Sequence, residues 1–292
     1  MRIKGLAFLL IYTSSLGLYA QLTSSFSVSD NQDFDKIKFS LNSTNGHCLI
    51  ESGLKTDLMD IHSSMQDAAA PQYEERIINR IKEVKVALGE DDNTSLSATI
   101  SKRMFSTQST EDYTWKVYLS KVKPLDLDLH YAIGDTYIDL SDLPIEKLKM
   151  RSGSAAVKVN YKKGMGNLLE MDTFLIKVDM GTFEANNLYL CNSSNIITDV
   201  GFGKVKLDFK DAEEINTNVS ASVGAGKLEV ILPHDNVSVR ININDSPLCN
   251  IKMPKIFEKV GENVFETPGF DIDNSNLINF SVDVAVGNIV FK

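Results

Sequence analysis

Apolar and polar residues alternate in short runs across the second half of this chain, and each run contains a turn glycine near its start. Six such runs are Ile133–Leu140, Ser152–Val159, Met180–Ala185, Phe202–Phe209, Val223–Val230 and Val286–Phe291. The glycines of the first five runs are 19, 28, 22 and 21 residues apart. A repeat of roughly 20 residues with one or two short strands is typical of stacked β architectures, so the pattern predicts an all-β fold.

Each run predicts a strand with one buried and one solvated face, because successive side chains of a strand point to opposite sides. A single unit cannot bury its apolar face alone, so the units are expected to stack around one continuous core. The turn glycines Gly134, Gly153, Gly203 and Gly224 are expected to adopt positive φ angles, which β-branched residues disfavour.

The part of the chain before the repeat also reads mainly as β structure. Alternation predicts strands at Lys36–Leu41, Ser95–Met104 and Tyr113–Val122, which favours a mostly antiparallel region. Trp115 shares a strand face with Val117, and this favours a role in core packing for the indole.

One segment ahead of the repeat has helical spacing. Ile77, Ile81 and Val84 recur at helical intervals within residues 66–83, and Pro71 fits a first helical turn. The pattern therefore predicts one helix over residues 66–83, which passes into a strand because Val84, Val86 and Leu88 then alternate.

The first twenty residues have the pattern of a secretory signal. Arg2 and Lys4 precede the apolar stretch Leu6–Tyr12, and Ala20 fits a small-residue cleavage site. Export followed by cleavage before Gln21 is the expectation. Because no later run of about 18 apolar residues occurs, no transmembrane segment is expected after signal removal.

The remaining chain divides by pattern into an N-terminal β-rich region, residues 21–122, and a repeat domain, residues 123–292. The net charge of −9 and the pI of about 5.0 argue against nucleic-acid binding. Cys48, Cys191 and Cys249 fit no zinc-binding spacing, and three buried reduced thiols are favoured over a Cys191–Cys249 disulfide.

Two acidic clusters invite a test for metal binding. Asp126, Asp128 and His130 would share one strand face, but side chains about 6.8 Å apart cannot all reach one ion, so a solvated face is favoured. Asp271–Asn276 lacks the glycine and glutamate that a calcium-binding EF-hand loop requires, so a turn-rich loop is favoured. No catalytic, cofactor-binding or metal-binding residue is predicted.

The repeat resembles a known family. Its Gly-x-x-x-[Ile/Val/Leu]-[Asp/Lys/Glu]-[Leu/Val/Phe] units, the phrase Leu140–Met150 and the closing Asn279–Phe291 are similar to those of the toast-rack proteins, which include candidate bacterial adhesins and LiaF-like cell-wall-active antibiotic response proteins. The resemblance covers roughly residues 123–292. It implies a right-handed β-solenoid-like stack, a location at or beyond the cell envelope, and no catalytic residues.

The leading functional expectation is a non-enzymatic envelope protein whose rigid stack acts as an adhesin-like module or as a scaffold or stress-response component. The partner would be a protein or an envelope glycan, and the location would be the periplasm or the outer surface of a bacterium. The alternatives are a secreted carbohydrate-binding protein, which would need aligned exposed aromatics, and a carbohydrate-active enzyme with clustered carboxylates. Exposed sheet edges also favour a dimer or filament.

Overall fold

The computed structural model describes residues 25–30, 33–44, 47–53, 57–63, 71–89, 114–234 and 236–292. In chain order, the first strands are β1 (Ser25–Val28), β2 (Lys36–Ser43), β3 (His47–Ser52), β4 (Met59–Ser63), β5 (Gln72–Ile78), β6 (Ile81–Leu88) and β7 (Thr114–Leu119). The strands that follow are β8 (Leu125–Tyr131), β9 (Asp135–Asp139), β10 (Ile145–Ser152), β11 (Ala156–Asn160), β12 (Met171–Val178), β13 (Thr182–Asn186), β14 (Ser193–Val200), β15 (Lys204–Asp208), β16 (Asn216–Val223), β17 (Lys227–Ile231), β18 (Ser238–Asp245), β19 (Asn250–Lys252), β20 (Glu258–Lys259), β21 (Val264–Glu266), β22 (Leu277–Val284) and β23 (Asn288–Phe291).

The strands form two facing sheets. Sheet A has the spatial order β1-β4-β7-β3-β9-β11-β13-β15-β17-β23-β19, and sheet B has the order β20-β21-β18-β22-β16-β14-β12-β10-β8-β2-β6-β5. From β8 to β17 the chain alternates between the sheets, so each pair of consecutive strands makes one coil, and neighbouring coils pair in parallel. The expectation of an all-β, solenoid-like stack is confirmed. In the described part of the chain, the one helical element is a 3₁₀ turn at Leu188–Cys191.

The core lies between the sheets and is built from rows of inward side chains. One row of sheet B crosses seven strands with apolar residues in register: Leu127, Leu148, Phe174, Ile196, Val219, Phe280 and Ile241. All seven are buried. Phe174 meets Phe183 of sheet A edge-to-face, with ring centroids 6.3 Å apart. Each buried side chain of this size contributes about 1.5–3 kcal/mol, so the stack gains stability row by row.

Close approach between coils explains the glycines at the corners from sheet B to sheet A. A Cβ atom on Gly226 would lie 2.5 Å from the carbonyl oxygen of Gly203, and one on Gly287 would lie 2.8 Å from that of Gly226. A Cβ on Gly203 would likewise overlap the carbonyl oxygen of Gly181. At these glycine positions the backbones of neighbouring coils are in direct contact, which leaves no room for a side chain there.

The predicted reason for the corner glycines is wrong at most positions. Gly134 has a positive φ of 114°, as expected, whereas Gly153, Gly203 and Gly224 do not have positive φ angles. At Gly153 a Cβ would lie 3.0 Å from the carbonyl oxygen of Ala132, so the neighbouring coil is again the constraint.

The helix predicted over residues 66–83 is wrong wherever that span is described. Residues 66–70 lie outside the described residues, and the rest forms an antiparallel hairpin of β5 and β6. Asn79 and Arg80 have φ angles of 51° and 61°, as in the type I′ turn that joins two-residue hairpins. Arg76 and Glu83 face each other across the hairpin and form an ion pair. Cross-strand pairing thus outweighed the helical spacing of the isoleucines.

The N-terminal region is continuous with the stack. Strand β2 pairs in parallel with β8, and β3 pairs in parallel with β9, while antiparallel strands β1, β4 and β5 lie at the outer end. The expected strand Lys36–Leu41 lies within β2, and Trp115 is buried on β7 as expected. The expected strand Ser95–Met104 lies outside the described residues.

No helix in the described ranges is long and apolar enough to cross a membrane.

At both ends of the stack, the spatial order of the coils differs from their order in the sequence. The coil β2–β3 lies between the coils made by β6 and β7 and by β8 and β9. At the other end, the coil β22–β23 lies between the coils β16–β17 and β18–β19. Strands β22 and β23 near the C-terminus are therefore paired on both sides, as are β2 and β3, whereas β1, β5, β19 and β20 form the sheet edges.

Replacing Gly226 by alanine is expected to lower the free energy of unfolding by about 1–3 kcal/mol, the usual cost of overpacking, because the new methyl group would meet a backbone oxygen that cannot move aside. Urea denaturation measures the change. Gly261→Ala is the matched control, since a Cβ there makes only contacts of 3.4 Å or more to a side chain. Equal stability of the two variants would contradict the close-approach explanation.

Candidate binding surface

The two acidic clusters of the sequence are engaged within the protein. Asp126 binds Lys36 at 2.9 Å, and Asp128 binds Arg151 at 3.0 Å. His130 is half-buried on the same outer face of β8, and its pKa is lowered by burial and then by the charge of Arg151. The two aspartates therefore form cross-strand ion pairs on the sheet surface, and the three side chains do not form a metal-binding group.

The acidic loop near the C-terminus consists of turns. The backbone N–H of Asp273 donates to Asp271 Oδ1 at 3.0 Å, and that of Asn276 donates to Asn274 Oδ1 at 2.9 Å. These are local turn contacts of the kind that Asp and Asn commonly make. Across the described residues, no group of three His, Cys, Asp or Glu side chains is arranged to hold a metal ion.

No disulfide joins the three cysteines, all of which lie in the described part of the chain. Cys48 and Cys191 are buried in the core, and burial raises the pKa of each thiol to about 12. Both therefore remain protonated and weakly nucleophilic at neutral pH. The favoured expectation of reduced thiols over a Cys191–Cys249 disulfide is confirmed, but the expected burial of all three is wrong for Cys249, which is only partly buried.

A charged ladder crosses the outer face of sheet A. Lys158, Glu184, Lys206 and Glu229 follow one another on neighbouring strands in register. Lys206 Nζ lies 2.6 Å from Glu184 Oε1, so alternating charges link successive coils.

Glu229, at the end of the ladder, forms ion pairs with two lysines. Lys292 and Lys227 each place a nitrogen 2.9 Å from its carboxylate. Hydrogen bonds from Lys292 and then Lys227 lower the pKa of the Glu229 carboxyl to about 2. This carboxylate therefore holds strands β17 and β23 together.

Part of the outer face of sheet B is rich in Asn and Ser. On β16 the outward side chains are Asn216, Asn218, Ser220 and Ser222, all exposed. The neighbouring strands β14, β22 and β18 continue the pattern in part, because Ile197, Asp199, Asp283 and Arg240 also point outwards there. We call the Asn and Ser set the asparagine–serine face: Asn195, Asn218, Ser220, Ser222, Asn279, Ser281, Asn242 and Asn244. Between neighbouring strands these side chains repeat at about 4.8 Å.

Most hydrogen-bonding capacity of this face points to solvent. Asn279 Nδ2 donates to Asn218 Oδ1 at 3.4 Å, and Asn244 Nδ2 donates to Asp283 Oδ1 at 2.9 Å. Ser220 and Ser281 face each other in register at the centre of the face and are exposed. The face is thus a flat, rigid array of amide and hydroxyl groups that can both donate and accept.

A depression of about 770 Å³ adjoins the face where the strands of sheet B begin. Its lining combines amides and hydroxyls with the carboxylates of Glu170 and Glu214, and Asn218 is shared with the face. Glu170 accepts a hydrogen bond from Ser194 at 2.8 Å. The surface therefore extends from a flat sheet into a shallow polar recess.

Sequence reasoning did not identify this face. The signal was present in Asn216–Val223, where every outward residue is Asn or Ser. The sequence could not show that β22 lies beside β16, a pairing that joins residues about sixty positions apart.

Comparison with known proteins decides the family. Residues 20–173, more than half of the chain, match the N-terminal domain of toast_rack, DUF2154. The chain belongs to the toast-rack family. The matched span of this toast-rack chain begins well before residue 123 and ends within β12, so it includes both the N-terminal region and the first coils of the repeat.

Solved structures with similar folds accompany the family match. A candidate cell adhesion protein from Clostridium sporogenes ATCC 15579 is 18% identical, with a TM-score of 0.44 over 92% of this chain and 98% of that one. A candidate adhesin from Bacteroides fragilis NCTC 9343 is 11% identical, with a TM-score of 0.37 over 93% and 96%. Another from Parabacteroides merdae ATCC 43184 is 11% identical, with a TM-score of 0.30 over 92% and 95%. No curated protein matches the toast-rack chain.

Acid should remove the contribution of Glu229 to stability. Because its pKa falls from 4.5 to about 2 on folding, this contribution is complete above pH 4.5 and is lost as the pH drops towards 2. Glu229→Gln is expected to lower the free energy of unfolding by about 1–3 kcal/mol at pH 7, and by progressively less between pH 4.5 and pH 2. Urea denaturation across this range measures the effect. Glu258→Gln, at an exposed edge position, is the control, and a pH-independent loss for Glu229→Gln would refute the ion-pair assignment.

Proposed function

We propose that this toast-rack chain is an exported, non-enzymatic binding module of the bacterial cell envelope. It would act like an adhesin, holding a neutral, hydroxyl-rich polymer such as a polysaccharide on the asparagine–serine face. The observation that carries this proposal is the in-register array of exposed, uncharged Asn and Ser side chains on a rigid parallel sheet.

The chemistry of the face suits a neutral ligand. Amide and hydroxyl groups can each donate and accept hydrogen bonds, as can the hydroxyl groups of a sugar. The outward residues of β16 are uncharged, whereas the outward residues of β8 and β10 are engaged in ion pairs.

The geometry suits an extended ligand. Each hydrogen bond exchanged with water contributes only about 0.5–1.5 kcal/mol, so useful affinity requires several at once. The asparagine–serine face supplies such contacts at a regular spacing across four strands, and the adjoining recess adds more at one end. Because the stack holds the backbone fixed, little ordering is needed when the ligand binds.

A role without catalysis is part of the proposal. The carboxyl groups with clearly shifted pKa values in the described residues, such as Asp139, Asp211 and Glu229, are shifted downwards by hydrogen bonds to lysine or serine, against the effect of burial. A general acid for glycoside cleavage would need the opposite shift. Release of shortened sugars from a bound polysaccharide would contradict this part and favour the enzymatic alternative.

Export and surface display also belong to the proposal, and they rest on the signal-like residues 1–20. Protease digestion of intact cells, compared with cells whose outer membrane is permeabilised, distinguishes surface display from a periplasmic location.

Introducing a large side chain at the centre of the face should abolish binding. Ser220→Arg is expected to weaken binding to a responsive polymer roughly tenfold or more, since it covers neighbouring amides and adds charge. The measurement uses the purified protein against immobilised neutral polysaccharides, peptidoglycan and denatured collagen. Thr182→Arg, at an exposed position on the outer face of sheet A, is the control. Binding that survives Ser220→Arg unchanged would refute the site, and binding to collagen alone would replace the glycan by a protein partner.

A further inference from the structure

A row of exposed apolar residues runs along one corner of the stack, where the chain turns from sheet B into sheet A. Four neighbouring coils place Met180, Phe202, Ala225 and Val286 at the same turn position, and we call these residues the corner ridge. Leu248 lies in the corresponding turn of the next coil. The exposed fractions are 62% for Met180, 77% for Phe202, 52% for Val286 and 74% for Leu248.

The backbone fixes the corner ridge in place. The N–H of Phe202 donates to the carbonyl oxygen of Asp179 at 2.7 Å, and that of Ala225 donates to Gly201 at 2.9 Å. The N–H of Val286 continues the ladder with a bond to Gly224 at 2.8 Å. The four side chains are therefore held in a line, about 4.8 Å apart from coil to coil.

Apolar side chains are unusual at such turns. Exposed turn positions usually carry Gly, Asn, Asp, Ser or Pro, and each apolar residue held in water costs free energy. Scattered exposed apolar residues need no explanation, but a contiguous apolar line on a rigid edge marks an interaction surface.

The charges beside the corner ridge differ between its two sides. On the sheet B side lie three exposed acidic residues, Asp179, Asp199 and Asp283, and one exposed lysine, Lys177, whose Nζ lies 3.5 Å from Asp199 Oδ2. On the sheet A side lie Lys204 and Lys227 at the starts of β15 and β17, and Lys227 is paired with Glu229. Lys204 is exposed and makes no ion pair with any residue that the structure describes.

We propose that the corner ridge is the interface of a homodimer, in which two stacks lie side by side and parallel about a two-fold axis along the ridge. This axis places the lysine side of each copy against the acidic side of the other and packs Phe202 against Phe202 of the second copy. Ridges in antiparallel order would instead place lysines against lysines. Two-fold homodimers are the commonest closed assemblies, and their interfaces are self-complementary in this way.

The same charges argue against a lipid surface as the partner of the ridge. Anionic headgroups attract clusters of basic residues, whereas this ridge has acidic residues on one side and the chain carries a net charge of −9. The proposed dimer leaves the outer faces of both sheets exposed, so it does not depend on the binding function proposed above.

The test measures molar mass against concentration for the full purified chain by light scattering and sedimentation. The wild-type protein is expected to show twice the chain mass and to dissociate on dilution. Phe202→Asp is expected to raise the dissociation constant roughly tenfold or more. Leu168→Asp, at an exposed apolar position outside the ridge, should leave it unchanged. A wild-type monomer at every concentration, or an equal effect of both variants, would overturn the dimer.

A charge exchange tests the parallel arrangement. Lys204→Glu is expected to weaken the dimer, and adding Asp199→Lys in the same chain should restore it, since the two positions meet across the interface. Failure of the second change to restore association overturns this arrangement. Cosedimentation of the wild-type chain with phosphatidylcholine and phosphatidylglycerol vesicles tests the competing occupant. A monomer that sediments with vesicles and loses this property in Phe202→Asp would assign the ridge to lipid.

Discussion

Backbone hydrogen bonding between successive coils is the constraint on which the rest of this structure depends. Neighbouring coils are joined by backbone hydrogen bonds between parallel strands. These bonds continue through the corners, where the Lys227 N–H donates to the Gly203 carbonyl oxygen at 2.9 Å. Once the backbones stack this closely, side chains cannot fit inside the corners, and glycine is required at Gly203 and Gly226. The same stacking aligns every side chain with its equivalents above and below.

Because the coils are aligned, equivalent side chains form rows across the sheets, and the rows differ in polarity and charge. The inward rows are apolar and make one core. On sheet A an outward row alternates lysine and glutamate, so opposite charges meet at every step. On sheet B the outward residues of β16 are uncharged, and at one corner the row is apolar. The proposed binding face and the proposed dimer interface both follow from this conversion of sequence repeats into continuous surfaces.

The ends of the stack differ from its middle in the direction and order of their strands. A parallel stack exposes unpaired strand edges, which invite association with other chains. Here antiparallel strands β5 and β20–β21 border sheet B, and charged residues such as Glu74 and Arg76 lie exposed on β5. The coils β2–β3 and β22–β23 are enclosed between other coils, so the C-terminal strand β23 is paired on both sides, whereas β1 lies at the edge of sheet A.

Local pattern predicted the strands and the stack because period-two alternation is a property of neighbouring residues. It could not predict the enclosed end coils, since the pairing of β16 with β22 joins distant parts of the chain. It failed for residues 71–83 because Ile77, Ile81 and Val84 fit a helical period as well as a hairpin. The asparagine–serine face and the corner ridge were visible only when the register between coils was known.

Native-state hydrogen exchange tests the central claim most directly. The claim is that the exchange rate of a backbone amide depends on the position of its strand in the stack and not on its position in the sequence. Strand β22 lies between β16 and β18, whereas β18 lies next to the short strand β21 at the end of sheet B. The account predicts that the amides of β22 exchange more slowly than those of β18, and that β2 exchanges more slowly than β5. Exchange of β22 and β2 as fast as the outermost strands would contradict the enclosed arrangement.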